Sequence, residues 1–359
     1  MDIFSVILAG GGGTRFWPLS RQSMPKQLLN LSGKDVMINE TIRRCADVIP
    51  SENTYIVTNQ AQLSPLQRLL TECVARENIL VEPLPRNTAP CVLYAALHIF
   101  RKYGDCVLCV FPSDHYIEDE KCFCSVLRSA VQAVQTVQTQ DRILTIGIET
   151  RYPSTGYGYI KKAGHPDQFC AYTVERFEEK PDIEKAEKFC QSSDYYWNSG
   201  MFVFKASVII EAFRRYLPGH YSQMLPLINS MSPYEEEKTL NAAYQAMEPI
   251  SLDYGIMERA DNIAVIPGDF GWSDLGSWDS LESVLPSDEN DNLIKAEHVC
   301  VDTNDCIIYG DKKLIATVGL SNVVIVDTRN AILVCDKDKV QDVRKIVDAL
   351  KVQGNYDLL

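Results

Sequence analysis

Short apolar runs alternate with amphipathic stretches from the start of the chain to residue 148. The runs are rich in β-branched residues and end at glycine, proline or a polar residue, which predicts buried strands; they are FSVILAG, YIVTN, ILVEP, CVLCVFPSD and RILTIGI. The intervening stretches carry apolar residues at helical spacing, which predicts helices over residues 36–49, 64–75, 88–103 and 119–137. This alternation indicates an α/β fold with a mostly parallel sheet. Ligands of such sheets bind beyond the carboxyl ends of the strands.

Beyond residue 150 the pattern becomes mixed. GYGYI and YTVERFEEK predict longer strands that pair antiparallel. The remaining predicted elements are helices over 183–190, 208–216 and 235–247, a short helix over 251–260, and strands over 201–206 and 263–267. We therefore expect a mixed sheet in which parallel pairing predominates.

A polar, irregular stretch, VLPSDENDN, predicts a domain boundary, which divides the chain into residues 1–287 and 288–359. The second part contains VCVD, CIIYG, LIATVG, VVIVDT and AILVCD, short runs that recur about every ten residues. This spacing is typical of stacked β turns, as in a β-helix, and a small sandwich is the alternative. KVQDVRKIVDALK predicts a helix that closes the domain.

Composition excludes several classes of protein. Apolar residues make up 46% of the 359 residues, enough for a large core, and the net charge of −13 disfavours binding to nucleic acid or a membrane surface. No apolar run approaches the roughly 18 residues of a membrane span, and MDIFSVILAG lacks the basic start of a secretory signal. Twelve cysteines in so large a chain indicate reduced thiols and a cytoplasmic location. Cys106 and Cys109 are expected on opposite faces of one strand, as inert core thiols rather than zinc ligands.

The segment LAGGGGTRFWPLSRQSMPKQ, residues 8–27, follows the first predicted strand. Glycine lets the backbone approach a ligand closely, and its N–H groups can hold phosphate oxygens. Neither a P-loop nor a dinucleotide fingerprint fits, because no Lys-Ser or Lys-Thr follows and Arg15 occupies a position that requires glycine. A flexible turn is the alternative. The buried strand before the glycines, with Thr14, Arg15 and Lys26 after them, favours a phosphate site.

This segment resembles the signature loop of the sugar-1-phosphate nucleotidyltransferases, and within them the guanylyltransferases that act on mannose 1-phosphate. Seven further segments match that family in order: EPLPRNTAP, FPSDHYI, TGYGYI, FEEKP, WNSGMFVF, SLDYGIME and GWSDLGSW. They are spread over most of residues 1–280, and together they are far more specific than any one of them. The resemblance implies a Rossmann-like nucleotidyltransferase domain followed by the small C-terminal β domain.

The resemblance also implies a reaction, the transfer of GMP from GTP to mannose 1-phosphate with release of pyrophosphate, assisted by Mg²⁺. Both reactants are anions, so positioning, cations and metal suffice without a covalent nucleophile. Two alternatives stay open: a catalytically silent relative that binds GDP-mannose and regulates a partner, and a nucleotidyltransferase for another nucleotide or sugar 1-phosphate. The expected partners are these substrates, not nucleic acid or membranes, and the C-terminal strands are a candidate homodimer contact. Because only roughly 70 residues follow the boundary, we expect no isomerase domain of ordinary size there.

The resemblance assigns site residues by position. Arg15, Lys26, Asp114 and Asp274 are the implied catalytic residues, and the two aspartates are the implied Mg²⁺ ligands, a donor type that suits this ion. The implied nucleotide contacts are Leu8, Ala9, Gly10, Gly11, Gly12, Gly13, Thr14, Glu82, Asn87, Thr88 and Ala89. The implied sugar contacts are Gly158, Glu179, Lys180 and Asn198.

Several of these residues have a second interpretation. Asn87 either helps to read the base or caps the following helix, and Glu82 either accepts from guanine or holds ribose. The charges of FEEKP are either sugar ligands or a solvated run. Arg21 either assists the phosphates or is a surface charge, and His115 is expected to be structural rather than a metal ligand.

Overall fold

The computed structural model describes residues 1–71, 74–229 and 232–359. Its first part contains β1 Ile3–Leu8, α1 Met37–Cys45, β2 Thr54–Asn59, α2 Gln60–Leu69, β3 Ile79–Glu82, α3 Thr88–Tyr103, β4 Val107–Pro112, β5 Tyr116–Ile117, α4 Glu120–Gln135 and β6 Ile143–Glu149. The mixed part contains β7 Tyr159–Ala163, β8 Tyr172–Glu178, α5 Ile183–Cys190, β9 Tyr195–Lys205, α6 Ala206–Tyr216, α7 Pro218–Met224, α8 Pro233–Ala246, β10 Ile263–Gly268 and β11 Trp272–Ser273. The C-terminal part contains β12 Leu293–Lys295, β13 His298–Val301, β14 Ile307–Gly310, β15 Ile315–Val318, β16 Val323–Asp327, β17 Ile332–Asp336 and α9 Val343–Gln353.

Within the described residues, a nine-stranded sheet runs in the order β3-β2-β1-β4-β9-β6-β10-β8-β7. Its first four strands are mutually parallel, and β6 and β10 form a second parallel pair. Strand β9 lies antiparallel between β4 and β6, and β7 and β8 pair antiparallel at the far edge. The predicted α/β class with a mixed sheet is therefore confirmed.

Strand β4 shows why these segments are buried. Alternate side chains of a strand point to opposite faces. Cys106, just before the strand, and Leu108 belong to the core on one side of the sheet, whereas Val107 and Cys109 belong to the core on the other. Both thiols are buried, as expected of inert core cysteines.

Some predicted elements differ in extent. The helix predicted over 64–75 begins at Gln60, where the Asn59 side chain caps it, and ends at Leu69; Glu72 and Cys73 lie outside the described residues. The predicted helix over 251–260 is only a wide five-residue turn, Asp253–Met257. The sequence analysis missed β5, β11, β12 and α7, which are too short to give a periodic signal.

The C-terminal strands stack as parallel rungs, which is the β-helix-like arrangement rather than the sandwich. Leu293, Ile307 and Val324 lie in register across β12, β14 and β16, and β13 pairs parallel with β15. Strand β17 closes the first stack antiparallel to β16. None of the described helices has both the length and the apolar character needed to cross a bilayer.

One hydrophobic core crosses the predicted boundary at residue 287. Phe16 and Trp278 pack with Ile307, Val324 and Val343 of the C-terminal part. In addition, the indole N–H of Trp278 donates to the carbonyl of Trp17 at 3.2 Å, and that of Trp17 donates to the carbonyl of Leu358 at 2.9 Å. The signature loop is thus seated on the C-terminal part, while the exact division into two domains stays a prediction.

Replacing Trp278 tests this shared core. The side chain is 0% exposed, so Trp278→Ala should lower the free energy of unfolding by about 3–5 kcal/mol through lost burial and a residual cavity. Tyr234→Ala, at a site 74% exposed, is the control and should change it by less than about 0.5 kcal/mol. Urea unfolding measures both, and equal effects of the two substitutions would contradict the assignment of Trp278 to this core.

Candidate active site

The glycine loop turns its carbonyls inward and leaves its amides free. Gln27 Nε2 donates to the carbonyls of Ala9 at 2.9 Å and Gly11 at 3.1 Å, and Gln62 Nε2 also donates to Gly11 at 3.0 Å. In the described part of the chain, none of the N–H groups of residues 10–13 donates a hydrogen bond. An exposed row of free amides is suited to phosphate oxygens.

Gly13 and Gly11 need glycine for different reasons. Gly13 has a φ of 56°, and a Cβ there would lie 2.3 Å from Cβ of Lys26. A Cβ on Gly11 would meet no atom within 4 Å. Gly13 therefore closes the loop onto Lys26, whereas Gly11 leaves open space above the backbone.

Lys26 connects three of the matched segments. Its side chain is only 6% exposed, and its ammonium lies 2.8 Å from Oδ2 of Asp114 and donates to the carbonyl of Asp274 at 2.5 Å. A buried charge is stable only when it is paired and hydrogen-bonded. The contacts therefore fix Lys26 between the two predicted metal ligands.

A two-stranded ribbon brings those aspartates together. Strand β5 pairs antiparallel with β11, with Tyr116 opposite Ser273, so Asp114 and Asp274 leave the same end of the ribbon. His115 accepts from the indole N–H of Trp272 at 3.1 Å. Burial lowers the pKa of His115 to about 4, although Asp114 opposes the shift. The hydrogen bond from Trp272 favours the structural role that the sequence predicts for His115.

Each aspartate keeps one oxygen free. Burial opposes ionisation of Asp114, but Lys26 outweighs it and holds the pKa of this carboxyl below its ordinary value. Oδ1 of Asp274 accepts from the hydroxyl of Tyr157 at 2.8 Å; burial and then the charge of Asp274 raise the pKa of Tyr157, which stays a donor. No described residue donates a side-chain hydrogen bond to Oδ1 of Asp114 or Oδ2 of Asp274. The described residues contain no group of three or more His, Cys, Asp or Glu side chains that could hold a metal without a substrate.

A cavity of about 370 Å³ extends from the glycine loop to the start of α3. Of the predicted nucleotide contacts, it is lined by Leu8, Gly10, Gly11, Glu82, Asn87 and Thr88. It is also lined by Asp114 and by residues that the sequence analysis did not select, among them Gln27, Arg86, Gly200 and Asp253. Thr14 is exposed but does not reach this cavity.

Both interpretations of Asn87 and Glu82 keep a physical basis. The Asn87 side chain caps α3 by accepting from the amide of Thr88 at 2.8 Å, yet it also lines the cavity. Glu82 is buried and accepts from the hydroxyl of Tyr244 at 2.9 Å. Burial raises the pKa of Glu82 to about 7, against the opposing effect of Tyr244 and Cys91. Near neutral pH this carboxyl can therefore be either a donor or an acceptor toward a ligand.

Two predicted nucleotide contacts lie in the core instead. Ala89 is 0% exposed, and its amide, which the helix start was expected to leave free, donates to the carbonyl of Ile250 at 3.1 Å. Ala9 is 1% exposed, and its amide donates to the carbonyl of Val57 at 2.8 Å. Since neither has a free polar group or open surface, we omit both from the proposed ligand contacts.

The four predicted sugar residues form one cluster. Strands β7 and β9 pair beside it, and the amide of Asn198 donates to the carbonyl of Gly158 at 2.8 Å. A Cβ on Gly158 would lie 2.4 Å from Oε2 of Glu179 and 3.3 Å from Cβ of Asn198, so a larger residue there would displace the Glu179 carboxylate. Lys180 Nζ lies 2.8 Å from Oε1 of Glu179. The sequence analysis missed Asp253, which accepts from Asn198 at 2.8 Å and lies in the matched segment SLDYGIME.

The two arginines of the signature segment lie apart. Arg15 is exposed at the rim, where its guanidinium donates to the carbonyl of Gly276 at 3.4 Å. Arg21 stacks over Trp17, with 5.6 Å between its guanidinium carbon and the ring centroid, and donates to Oδ1 of Asn330 at 3.2 Å. Arg21 thus contacts the C-terminal part, which favours a structural role over a free surface charge.

Two glycine variants separate folding from ligand approach. Gly13→Ala should lower the free energy of unfolding by at least about 1–2 kcal/mol, because its φ is left-handed and its methyl would strike Lys26. Gly11→Ala, the matched control for folding, should leave stability unchanged within about 1 kcal/mol but weaken GTP binding, because its methyl covers the free amides. Urea unfolding and calorimetric titration with GTP measure these effects. Equal destabilisation by the two substitutions, or unchanged GTP affinity in Gly11→Ala, would contradict the roles assigned to Gly13 and Gly11.

Comparison with known proteins places this site in a family. A family model described as "Nucleotidyl transferase" matches residues 4–291, and one described as "MannoseP isomerase/GMP-like beta-helix domain" matches residues 296–350. The chain is 38% identical over 357 residues to xanthan biosynthesis protein XanB of Xanthomonas campestris pv. campestris, and 37% identical over 358 residues to a mannose-1-phosphate guanylyltransferase of Salmonella muenchen. Each alignment covers 99% of this chain and 75% of the relative.

A solved structure shares the fold of this chain along almost its whole length. It is a crystal structure described as a mannose-1-phosphate geranyltransferase from Thermus thermophilus, with 32% sequence identity and a TM-score of 0.87. The match covers 98% of this chain and 100% of that one. From the family model, the relatives and the shared fold, we conclude that the chain belongs to the nucleotidyl transferase family.

Proposed function

We propose that this protein transfers GMP from GTP to mannose 1-phosphate, giving GDP-mannose and pyrophosphate. Relatives named mannose-1-phosphate guanylyltransferase align over almost the entire chain, which supports both substrates. The observation that carries the proposal is the position of Lys26, buried below a loop of free amides and between Asp114 and Asp274. An ammonium, free amides and two carboxylates at one point are what a nucleoside triphosphate with its metal ion requires.

The triphosphate lies over the glycine loop in this proposal. The amides of residues 10–13 donate to its oxygens, and Arg15 at the rim neutralises the outgoing pyrophosphate. Lys26 has three N–H donors, of which Asp114 and the carbonyl of Asp274 take two, so one remains for a phosphate oxygen. The cavity leads from there to Glu82 and Asn87, where we place the nucleoside.

Asp114 and Asp274 fit a divalent metal ion. The family generally uses such an ion, and each of the two carboxylates retains an oxygen without a side-chain donor among the described residues. We propose Mg²⁺, which is commonly held by one or two carboxylates together with substrate phosphates rather than by an all-protein cage. When bound, the ion supplies positive charge that polarises the phosphoryl group and orients both substrates.

The sugar 1-phosphate occupies the cluster around Gly158. Glu179 and Asn198 face hexose hydroxyls there, and Lys180, whose side chain is 54% exposed, holds the sugar phosphate. An oxygen of that phosphate forms a new bond to the α-phosphorus of GTP, while the bond from the α-phosphorus to the bridging oxygen breaks and pyrophosphate leaves. The attacking oxygen is already an anion, so the residues of this site have only to align the reactants and offset their charge.

The remaining parts of the proposal rest on sequence. We infer a cytoplasmic location because the chain has twelve cysteines, and reduced thiols are typical of that compartment. The homodimer stays a prediction, with the half-exposed or more exposed Val299, Val318 and Val334 of the C-terminal strands as its candidate contact.

A panel of substrates tests the reaction. We expect GDP-mannose and pyrophosphate from the purified chain with GTP, mannose 1-phosphate and Mg²⁺, and much less product with ATP, UTP or CTP or with glucose 1-phosphate or fucose 1-phosphate. Tight binding of GDP-mannose without turnover would favour the silent regulator. Preference for another pair of substrates would favour a different nucleotidyltransferase.

Asp274→Asn tests the catalytic carboxylates. The amide oxygen can still accept from Tyr157, so folding should survive, but turnover should fall at least roughly a hundredfold, about 2.7 kcal/mol of barrier. Asp261→Asn is the control, since Asp261 is exposed and paired with Arg215.

Asp114→Asn should lose both turnover and stability, because it leaves the buried Lys26 without its ionic partner. Turnover of each variant is measured as the steady-state rate at saturating substrate. Near-normal turnover of Asp274→Asn would exclude a catalytic role for Asp274.

A further inference from the structure

Asp253 joins the nucleotide cavity to the sugar cluster. It begins the turn Asp253–Met257 and lines the cavity of about 370 Å³ together with Asp114 and Gly200. Its Oδ1 accepts from Nδ2 of Asn198 at 2.8 Å. No other side chain in residues 1–71, 74–229 and 232–359 donates to this carboxylate.

The bond to Asp253 completes the orientation of Asn198. Oδ1 of Asn198 accepts from the hydroxyl of Thr145 at 3.0 Å and from the amide of Gly200 at 3.2 Å. Because its oxygen is occupied by donors and its nitrogen faces an acceptor, the amide cannot flip. One hydrogen of Nδ2 is used by Asp253, and the other remains for a ligand.

The charge of Asp253 is not neutralised by an ion pair. Lys180, the cation of this cluster, pairs with Glu179 instead, and no described Lys or Arg lies within ion-pair distance of Asp253. Asp253 is partly buried, and a carboxylate that loses contact with water and has only one amide partner is at a cost unless further donors reach it. Burial, followed by the neighbouring Glu179 carboxylate, raises the pKa of Asp253 to about 7. Hydroxyl groups of a ligand are donors that would relieve this cost.

We propose that Asp253 recognises the sugar: it orients the amide of Asn198, and its carboxylate accepts hydrogen bonds from hydroxyls of the hexose 1-phosphate. This inference rests on the proposed function, which makes a hexose 1-phosphate the second substrate. The sugar is favoured over the nucleoside because the hydrogen-bond partner of Asp253 is Asn198, and its charged neighbours, Glu179 and Lys180, also belong to the sugar cluster. Glu82, which lines the part of the cavity where we place the nucleoside, accepts instead from Tyr244.

Two substitutions of unequal severity test this role. Asp253→Asn keeps the shape and an oxygen that can accept from Asn198, but it removes the charge. Asp253→Ala removes both. We expect KM for mannose 1-phosphate to rise roughly tenfold or more in Asp253→Asn and further in Asp253→Ala, with KM for GTP within about twofold of wild type, because charge-assisted hydrogen bonds to the sugar are lost. Asp261→Asn, which alters an exposed acid paired with Arg215, is the matched control and should leave both constants unchanged.

The measurement is steady-state kinetics with each substrate varied in turn, alongside urea unfolding of every variant. A rise confined to KM for GTP, or one equally large for both substrates, would overturn the assignment to the sugar. Unchanged KM values with reduced stability would show a purely structural residue, which also overturns it. If wild type makes no GDP-mannose, the proposed function itself fails; calorimetric titration with mannose 1-phosphate alone then decides Asp253, whose variants must still bind the sugar more weakly than wild type.

Discussion

The buried ammonium of Lys26 is the constraint on which the rest of the site depends. Three segments far apart in the sequence meet at this one group: the glycine loop through Gly13, the end of β4 through Asp114, and the segment after β11 through Asp274. A cation out of water must keep its partners, so the loop cannot shift without moving both carboxylates. Lys26 offsets the charge of Asp114 directly, and it holds the backbone of Asp274 through its carbonyl.

The site gathers cations and free amides within an otherwise acidic protein. The chain has a net charge of −13, and the cleft itself adds Asp114, Asp274, Glu179 and Asp253. Such a surface repels two anionic substrates unless they meet fixed positive charge and free amides. The few cations present are therefore placed with different exposures. Lys26 is buried and fixed by two partners, whereas Arg15 and Lys180 are exposed, each with one partner that a ligand could replace.

Apolar periodicity was sufficient to predict the framework of the fold. The bounds of α3 and α5 were predicted to the residue, because each is a long or well-capped amphipathic segment. The ribbon of β5 and β11 was not predicted, because two residues carry no period, yet this ribbon is what brings Asp114 and Asp274 together. Gly158, Glu179, Lys180 and Asn198, which the motifs assigned to one site, do lie together in the fold.

Contacts made only in three dimensions explain why some residues have surroundings that the sequence did not indicate. Ala9 and Ala89 adjoin ligand-facing residues in the sequence, but the sheet and the segment around Ile250 take their amides. Arg21 has its partner in Asn330, far along the chain. Asp253 was overlooked because one aspartate in a matched segment gives no sign of its neighbours until Asn198 is seen beside it.

The contact between the signature loop and the C-terminal part has a consequence for how the protein can be divided. The segment Thr14–Phe16 packs against α9, and Trp17 is hydrogen-bonded to Leu358 at the last turn of the chain. A fragment cut at residue 287, the predicted boundary, would keep every residue that we place at a substrate, yet its glycine loop would lose its contacts with α9 and Leu358. We therefore expect the loop to keep its geometry only when the C-terminal strands and α9 are present.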